Sequence, residues 1–425
     1  MEQSVAVSTS GVDTGLFGWW RASTLEGRRA LIAASAGWML DSFDVMLYAL
    51  VLASMMTDPS LGLTKPTAGW LGSIALLSAA VGGVSFGVIA DRFGRTRALM
   101  ASVLIYSFAT AACGFAQNIT QLAICRIVLG FGMGGEWASG AALVSETWST
   151  EHRGKALGVM QSAWAIGYAA AAIVTWLVLP IGGWRAVFFV GVLPALITLW
   201  IRRRVEEPAI WRARRQASPN SVGRMGDVFA EGRGPLTIAL MAMNACALFA
   251  WWGFNLWIPA YLSLPIEAGG IGLTTGAMSG LVVAMQVGMW FGYVTFGYVS
   301  DAVGRRRTYV TYLVMAAALM LVYGSTKNPL LLLLLGPFVA FFGTGYFSGL
   351  GAVTAEIYPT NIRATAQGLT YNVGRVASAA APFIVGSLAQ SNGFGSAFGL
   401  ASIAFVGASI CWIWIPETKG RDLVA

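Results

Sequence analysis

Twelve apolar stretches, each 17 residues or longer, follow one another along this chain with mostly short polar connectors between them. They cover residues 30–56, 68–90, 98–116, 119–143, 155–179, 185–201, 235–264, 276–300, 308–325, 329–354, 365–389 and 396–415. A helix needs roughly 20 mostly apolar residues to cross about 30 Å of hydrocarbon. The pattern therefore predicts an all-α membrane protein with twelve transmembrane helices, its outer surface covered by the lipid bilayer. Charge is scarce enough to agree: 11% of residues are charged, against about 25% in soluble domains.

Basic residues set the orientation. Of 27 lysines and arginines, 22 fall in the tails and the connectors on one side, and three (Lys65, Arg185, Lys327) on the other. Such an excess marks the cytoplasmic face, so both termini are expected in the cytoplasm of a multi-pass protein of the cell membrane, a bacterial inner membrane by this pattern. The net charge of +8 is then a topology signal and gives no reason to expect nucleic acid. The expected layout is a cytoplasmic tail over 1–29, a six-helix bundle over 30–201, a cytoplasmic loop over 202–234, a second six-helix bundle over 235–415 and a tail over 416–425.

The two bundles repeat one another. Gly87, Asp91, Gly94, Arg95, Glu146, Arg153, Gly158 and Glu207 recur as Gly297, Asp301, Gly304, Arg305, Glu356, Arg363, Gly368 and Glu417, each 210 residues later. A duplicated six-helix unit with pseudo-twofold symmetry follows. The string Gly87-Val-Ile-Ala-Asp91-Arg92-Phe-Gly94-Arg95, with its echo from Gly297 to Arg307, resembles the loop signature of the major facilitator superfamily. Arg126-x-x-x-Gly130-x-x-x-Gly134 and Pro416-Glu417-Thr418-Lys419-Gly420 resemble two more of its signatures. Within it, Asp41-Ser-Phe-Asp44, Gly134-Gly-Glu136-Trp and Tyr371-Asn372-x-Gly374-Arg375 look like the metabolite:proton symporters of the sialate and lactate branch. The aromatic-acid:proton symporters are the near rival, with Ser42 standing where their span-one motif has glycine.

Five ionisable residues fall inside the predicted spans: Asp41, Asp44, Arg126, Glu136 and Arg375. Each costs several kcal/mol in lipid, of order 2.5–3.5 on insertion scales, so pairing or function must retain them. Asp41 and Asp44, three apart, share one helix face. Two neighbouring carboxylates in apolar surroundings resist double ionisation, which suits a site that takes up and releases a proton. The resemblance ranks Asp44 first and pairs it with Arg126, as sugar-porter relatives do. Glu136 reads equally as a second titrating group or as a packing anchor. Arg375 is the expected clamp for a substrate carboxylate, with a bond to Glu136 or to backbone as the alternative. Tyr371, Asn372, Gln161, Trp164, Tyr168, Trp251, Trp252, Asn255 and Gln286 are expected around it. Near the cytoplasmic face, Asp91 is expected to cap a helix. Arg92, Arg95, Glu146, Arg153, Asp301, Arg305, Glu356 and Arg363 are expected to bridge spans in a gate.

These features imply a proton-coupled secondary carrier that imports a small organic anion, a monocarboxylate, by alternating access. A carrier for aromatic acids or neutral sugars is the alternative. A non-transporting membrane sensor is a different class, and the short tails offer it no output domain. A drug exporter lacks its span-five glycine–proline signature. No nucleophile–base set, metal-ligand spacing or cofactor motif is present, so neither an enzyme nor a metal or cofactor is expected. The four cysteines are scattered, and the single histidine, His152, lies in a connector. The resemblance also implies a monomer.

Overall fold

The computed structural model describes residues 18–21, 23–148, 152–207, 225–359 and 362–419, apart from the side chains of Asp91, Trp137, Ala138, Arg153, Leu199, Arg202, Met225, Ala355, Arg363 and Ala364. The described residues are helices and connectors without strands. The first bundle holds α1 (Leu25–Met56), α2 (Lys65–Phe93), α3 (Arg95–Cys113), α4 (Ile119–Thr147), α5 (Arg153–Val190) and α6 (Ile197–Arg204). The second holds α7 (Gly234–Asn255), α8 (Thr275–Val303), α9 (Arg305–Ser325), α10 (Pro329–Gly345), α11 (Arg363–Ser378) and α12 (Ala381–Cys411). Among the described residues, ten helical runs are long and apolar enough to cross a membrane. Two of them, of 43 and 47 residues, are broken by a kink at Gly183 (φ 68°) in α5 and at Gly393 (φ 80°) in α12, and each is long enough for two crossings, which gives the twelve of the fold. Those two glycines are again 210 residues apart.

Helix starts are fixed locally. Thr24 begins α1 by accepting from the Gly27 N–H, and Thr64 and Asn118 begin α2 and α4 in the same way. The first long helix thus begins at Leu25. Trp19 and Trp20 anchor that entry by packing on Trp148, with ring centroids 5.3 and 6.2 Å away. Small residues set the helix spacing within each bundle. A Cβ on Gly82 would overlap the Phe131 carbonyl of α4, and one on Gly292 the Phe341 carbonyl of α10. The register repeats at the same 210-residue offset.

The basic end of each bundle is held by a carboxylate that sequence reasoning noted as a repeat without giving it a task. Glu207 accepts from the backbone N–H groups of Thr96 and Arg97, both at 3.1 Å, at the start of α3. Glu417 accepts from those of Arg305 and Arg306, at 2.8 and 3.1 Å, at the start of α9. Each satisfies donors that a helix start leaves open and meets the positive end of the helix dipole. Gly94 (φ 118°) and Gly304 (φ 111°) precede these helices in a conformation that side chains rarely adopt, and a Cβ on Gly304 would lie 2.8 Å from Glu417 Oε2. Asp91, the expected cap, has its side chain outside the described set. The last residues of the chain's described part are therefore docked rather than a free tail.

Partial burial works against the ionised form of Glu417, but the N–H groups of Lys419, Arg305, Arg306 and Thr418 outweigh it and hold its carboxyl below the usual range. Its contribution is present above the ordinary carboxylate pKa and is lost as pH falls through the lowered one. Glu207→Ala and Glu417→Ala are each expected to cost about 1 kcal/mol. Thermal unfolding in detergent at neutral pH should show the loss, and for Glu417→Ala the difference from wild type should shrink in strong acid.

Candidate functional site: a charge cluster between the bundles

The two bundles hydrogen-bond to each other at four described places, all in the half of the molecule opposite the basic connectors. Lys65 Nζ donates to the carbonyls of Ala268 and Ala389 at 2.7 and 3.3 Å. The Phe383 N–H donates to Ser73 Oγ at 3.2 Å, and Asn255 Nδ2 to Met46 Sδ at 3.5 Å. At the basic end the described ion pairs stay within their own bundle. Arg95 binds Glu146, linking α3 to α4 at 2.9 Å. Arg305 binds Glu356 at 2.9 Å and also Asp301, while Thr418 Oγ1 donates to Glu356. These pairs join spans of the same bundle, not one bundle to the other. Arg92 lies over its neighbour Phe93 instead. The side chains of Arg153 and Arg363 are outside the described set.

The five intramembrane charges are all buried: Asp41 1%, Asp44 1%, Arg126 2%, Glu136 0% and Arg375 3% exposed. Glu136 of α4 lies against Gly37 of α1, one turn before Asp41, where a Cβ would come within 2.5 Å of its Oε1. Arg375 reaches this acidic pair from α11 of the other bundle. Its Nη1 passes Gly83 of α2, 3.9 Å from where a Cβ would stand, beside Asn372 Oδ1 at 3.6 Å. Arg375 is the buried cation whose charge acts on both Asp41 and Glu136 from beyond ion-pair distance. Tyr371, one turn earlier, has its ring centroid 5.6 Å from the guanidinium. No direct ion pair closes the set. Both Glu136 oxygens, both Asp44 oxygens, Asp41 Oδ2 and Arg375 Nε are buried without a hydrogen-bond partner. Asp44 lies next to Asp41, with the hydroxyls of Ser107 and Thr110 alongside.

The expected Asp44–Arg126 pair is not formed. Arg126 is 4.1 Å from the Tyr48 ring centroid, and its Nε and Nη1 have no hydrogen-bond partner. Residue spacing places both charges near mid-membrane, but the rotation of α4 aims the guanidinium at the aromatic face one turn beyond Asp44. Arg126 instead lines a small void between the bundles, together with Val45, Leu76, Met133, Trp252 and Leu256. The tryptophans join across the interface: Trp38 lies 4.7 Å from Trp164, and Trp164 lies 6.1 Å from Trp252 of the other bundle.

The remaining expected residues divide. Trp164 and Asn255 lie at the bundle interface. Tyr168 is buried with its hydroxyl unpartnered, and Gln161 is half-buried. Gln286 donates to Val282 and lines a separate apolar groove between α5 and α8 with Ile166 and Trp290, away from the charges. Trp38, Tyr48, Ser107 and Thr110 are neighbours that sequence reasoning missed. Trp38 and Tyr48 had a signal, standing one turn before Asp41 and one turn after Asp44 on the same helix.

A family model described as Major Facilitator Superfamily matches residues 34–281 and 261–424. The chain belongs to the major facilitator superfamily. It is a membrane transport protein of that superfamily, not an enzyme. It is 31% identical to the cis,cis-muconate transport protein of Acinetobacter baylyi, over 88% of this chain and 91% of that one. It is 29% identical to the sialic acid transporter NanX of Escherichia coli, over 91% and 93%. The solved xylose transporter XylE of E. coli, in a partially occluded inward-open conformation, superposes with a TM-score of 0.77. It covers 94% of this chain and 100% of that one at 18% identity, which speaks for the shared fold. In a superfamily fold of this kind, an unsatisfied charge cluster where the bundles meet is the place where transport chemistry is sought.

Proposed function

We propose that this superfamily member is a proton-coupled carrier that imports a small organic anion by alternating access, one proton with each monocarboxylate. The observation that carries the reading is the set of three buried acids with unpartnered oxygens set against two buried arginines. Burying a net charge is costly, so the empty cluster is neutral with one proton on its acids. A bound substrate carboxylate adds one negative charge, and neutrality then calls for one more proton. Loading anion and proton together is the inexpensive route, and either alone leaves a charge in the membrane interior. Relatives named for muconate, a dicarboxylate, and for sialic acid support an organic-acid substrate.

Arg375 joins the bundles through this chemistry. With Asp41 and Glu136 ionised, the second bundle's cation is attracted to the first bundle; protonating them weakens that attraction and lets the bundles rearrange. Two protein acids already face Arg375, so it acts here in the proton switch rather than as the substrate clamp. The inter-bundle hydrogen bonds at the non-basic end support a state open toward the basic side, taken as cytoplasmic.

The test is uptake of labelled benzoate, lactate and N-acetylneuraminate into proteoliposomes. An inward proton gradient of one pH unit should drive about tenfold accumulation of the transported acid. Clamping the membrane potential with potassium and valinomycin should leave that ratio unchanged. Accumulation indifferent to the pH gradient would remove the proton from the mechanism.

A further inference from the structure

We infer that Arg126, not Arg375, holds the substrate carboxylate, and that its pocket selects monocarboxylates whose remaining body is flat and apolar. The inference rests on the transport reading above and names the substrate class of the same interface.

Three observations converge on it. First, Arg126 is a buried cation with no carboxylate at ion-pair distance among the described residues, and two of its three guanidinium nitrogens lack any partner. The Tyr48 ring at 4.1 Å orients the guanidinium plane but supplies no counter-charge. Arg375, by contrast, faces two acids of the protein. A fixed, planar, always-protonated fork left without an anion fits a ligand's carboxylate.

Second, Arg126 opens onto a void that both bundles line. Its walls come from Val45 of α1, Leu76 of α2 and Met133 of α4 on one side, and from Trp252 and Leu256 on the other. It has room for roughly one water molecule. It is the spot where the bundles meet but do not fully close, so a small change in their separation enlarges it.

Third, apart from Arg126 the lining side chains are apolar or aromatic. A ligand hydroxyl placed there would be stripped of water without a side-chain partner, at roughly tenfold or more in affinity for each such group. Sugars and polyhydroxylated acids are therefore excluded. A ring or conjugated chain instead gains the face of Trp252 and, through it, the row of Trp164 and Trp38. That row leads from the anion fork toward Asp41, one turn beyond Trp38. It brings the substrate next to the acids that must take up the proton.

The experiment measures equilibrium binding of benzoate, lactate and N-acetylneuraminate to the purified full-length protein by calorimetry at fixed pH. Counterflow in proteoliposomes without a proton gradient runs beside it. Wild type is expected to bind benzoate at least tenfold more tightly than N-acetylneuraminate. Arg126→Gln should weaken benzoate binding a hundredfold or more, and Arg126→Lys, which keeps the charge but not the fork, about tenfold. Trp252→Ala should cost benzoate about tenfold and leave lactate nearly unchanged, so the benzoate-to-lactate ratio reads the aromatic wall even if Arg126→Gln does not fold. Benzoate bound as well by folded Arg126→Gln as by wild type would overturn the assignment. So would N-acetylneuraminate preferred over benzoate, or an unchanged ratio in Trp252→Ala. In those cases gradient-driven uptake of some acid would still stand for the transport reading. Failure of wild type to bind or carry any of the three acids would bring down both.

Discussion

Asp44→Asn is expected to abolish accumulation of substrate against its gradient while leaving substrate exchange in place. Asp44 is 1% exposed, the charge that bears on it is that of another acid, Asp41, and no cation is paired with it among the described residues; the Ser107 and Thr110 hydroxyls lie alongside. A carboxylate so placed, with Arg375 facing Asp41 and Glu136 instead, is the one that most needs a proton when the bundles close. Asparagine copies the protonated form in shape and charge and cannot release anything. The variant cluster of two acids and two arginines is neutral when empty, and the proton that loading calls for would have to go to Asp41 or Glu136, which the charge of Arg375 favours in the ionised form; the carrier then runs both ways with substrate alone. Under a one-unit pH gradient the internal-to-external ratio should fall from about tenfold to one, while counterflow persists at a substantial fraction of the wild-type rate. Full accumulation by the variant would exclude Asp44 as the coupling group and move attention to Asp41 and Glu136.

Arg375→Gln is expected to lose both transport and stability. The substitution leaves Asp41 and Glu136 buried opposite no cation. Removing one partner from a buried charged set costs about 3–5 kcal/mol. Here the acids make no direct contact with the guanidinium and can take up protons, so the expected loss is smaller, about 2–3 kcal/mol. Protons held that firmly are not released on the inner side, and accumulation should fail at every pH where the protein is folded. The double variant Asp41→Asn, Arg375→Gln removes an acid together with the cation. It should regain most of the lost thermal stability and none of the accumulation. Unfolding of Arg375→Gln at the wild-type temperature, with uptake intact, would show that the charge crossing between bundles has no part in the switch.

Much of this molecule is legible without coordinates because the bilayer imposes simple rules. Apolar length counts the crossings, and the 210-residue offset exposes the duplication before any contact is known. That offset also pairs Gly183 with Gly393 and Glu207 with Glu417, although the roles of these pairs, helix break and helix cap, appear only in three dimensions. The carboxylates that cap α3 and α9 arrive from residues more than 100 positions away, a pairing that local sequence does not reveal.

The sequence by itself determined how many helices there are, that they come in two related sets, and which five charged side chains must share the apolar interior. Only the tertiary structure decided who faces whom. It turned Arg126 toward Tyr48 and a void bordered by Trp252, and it carried Arg375 across the bundle interface to Asp41 and Glu136. The reason is geometric. Helical periodicity fixes which residues share a face of one helix, whereas the partner of that face depends on the rotation and separation of helices distant in the chain. Those are set by the packing of glycines and aromatic rings across the whole assembly, which no local pattern encodes.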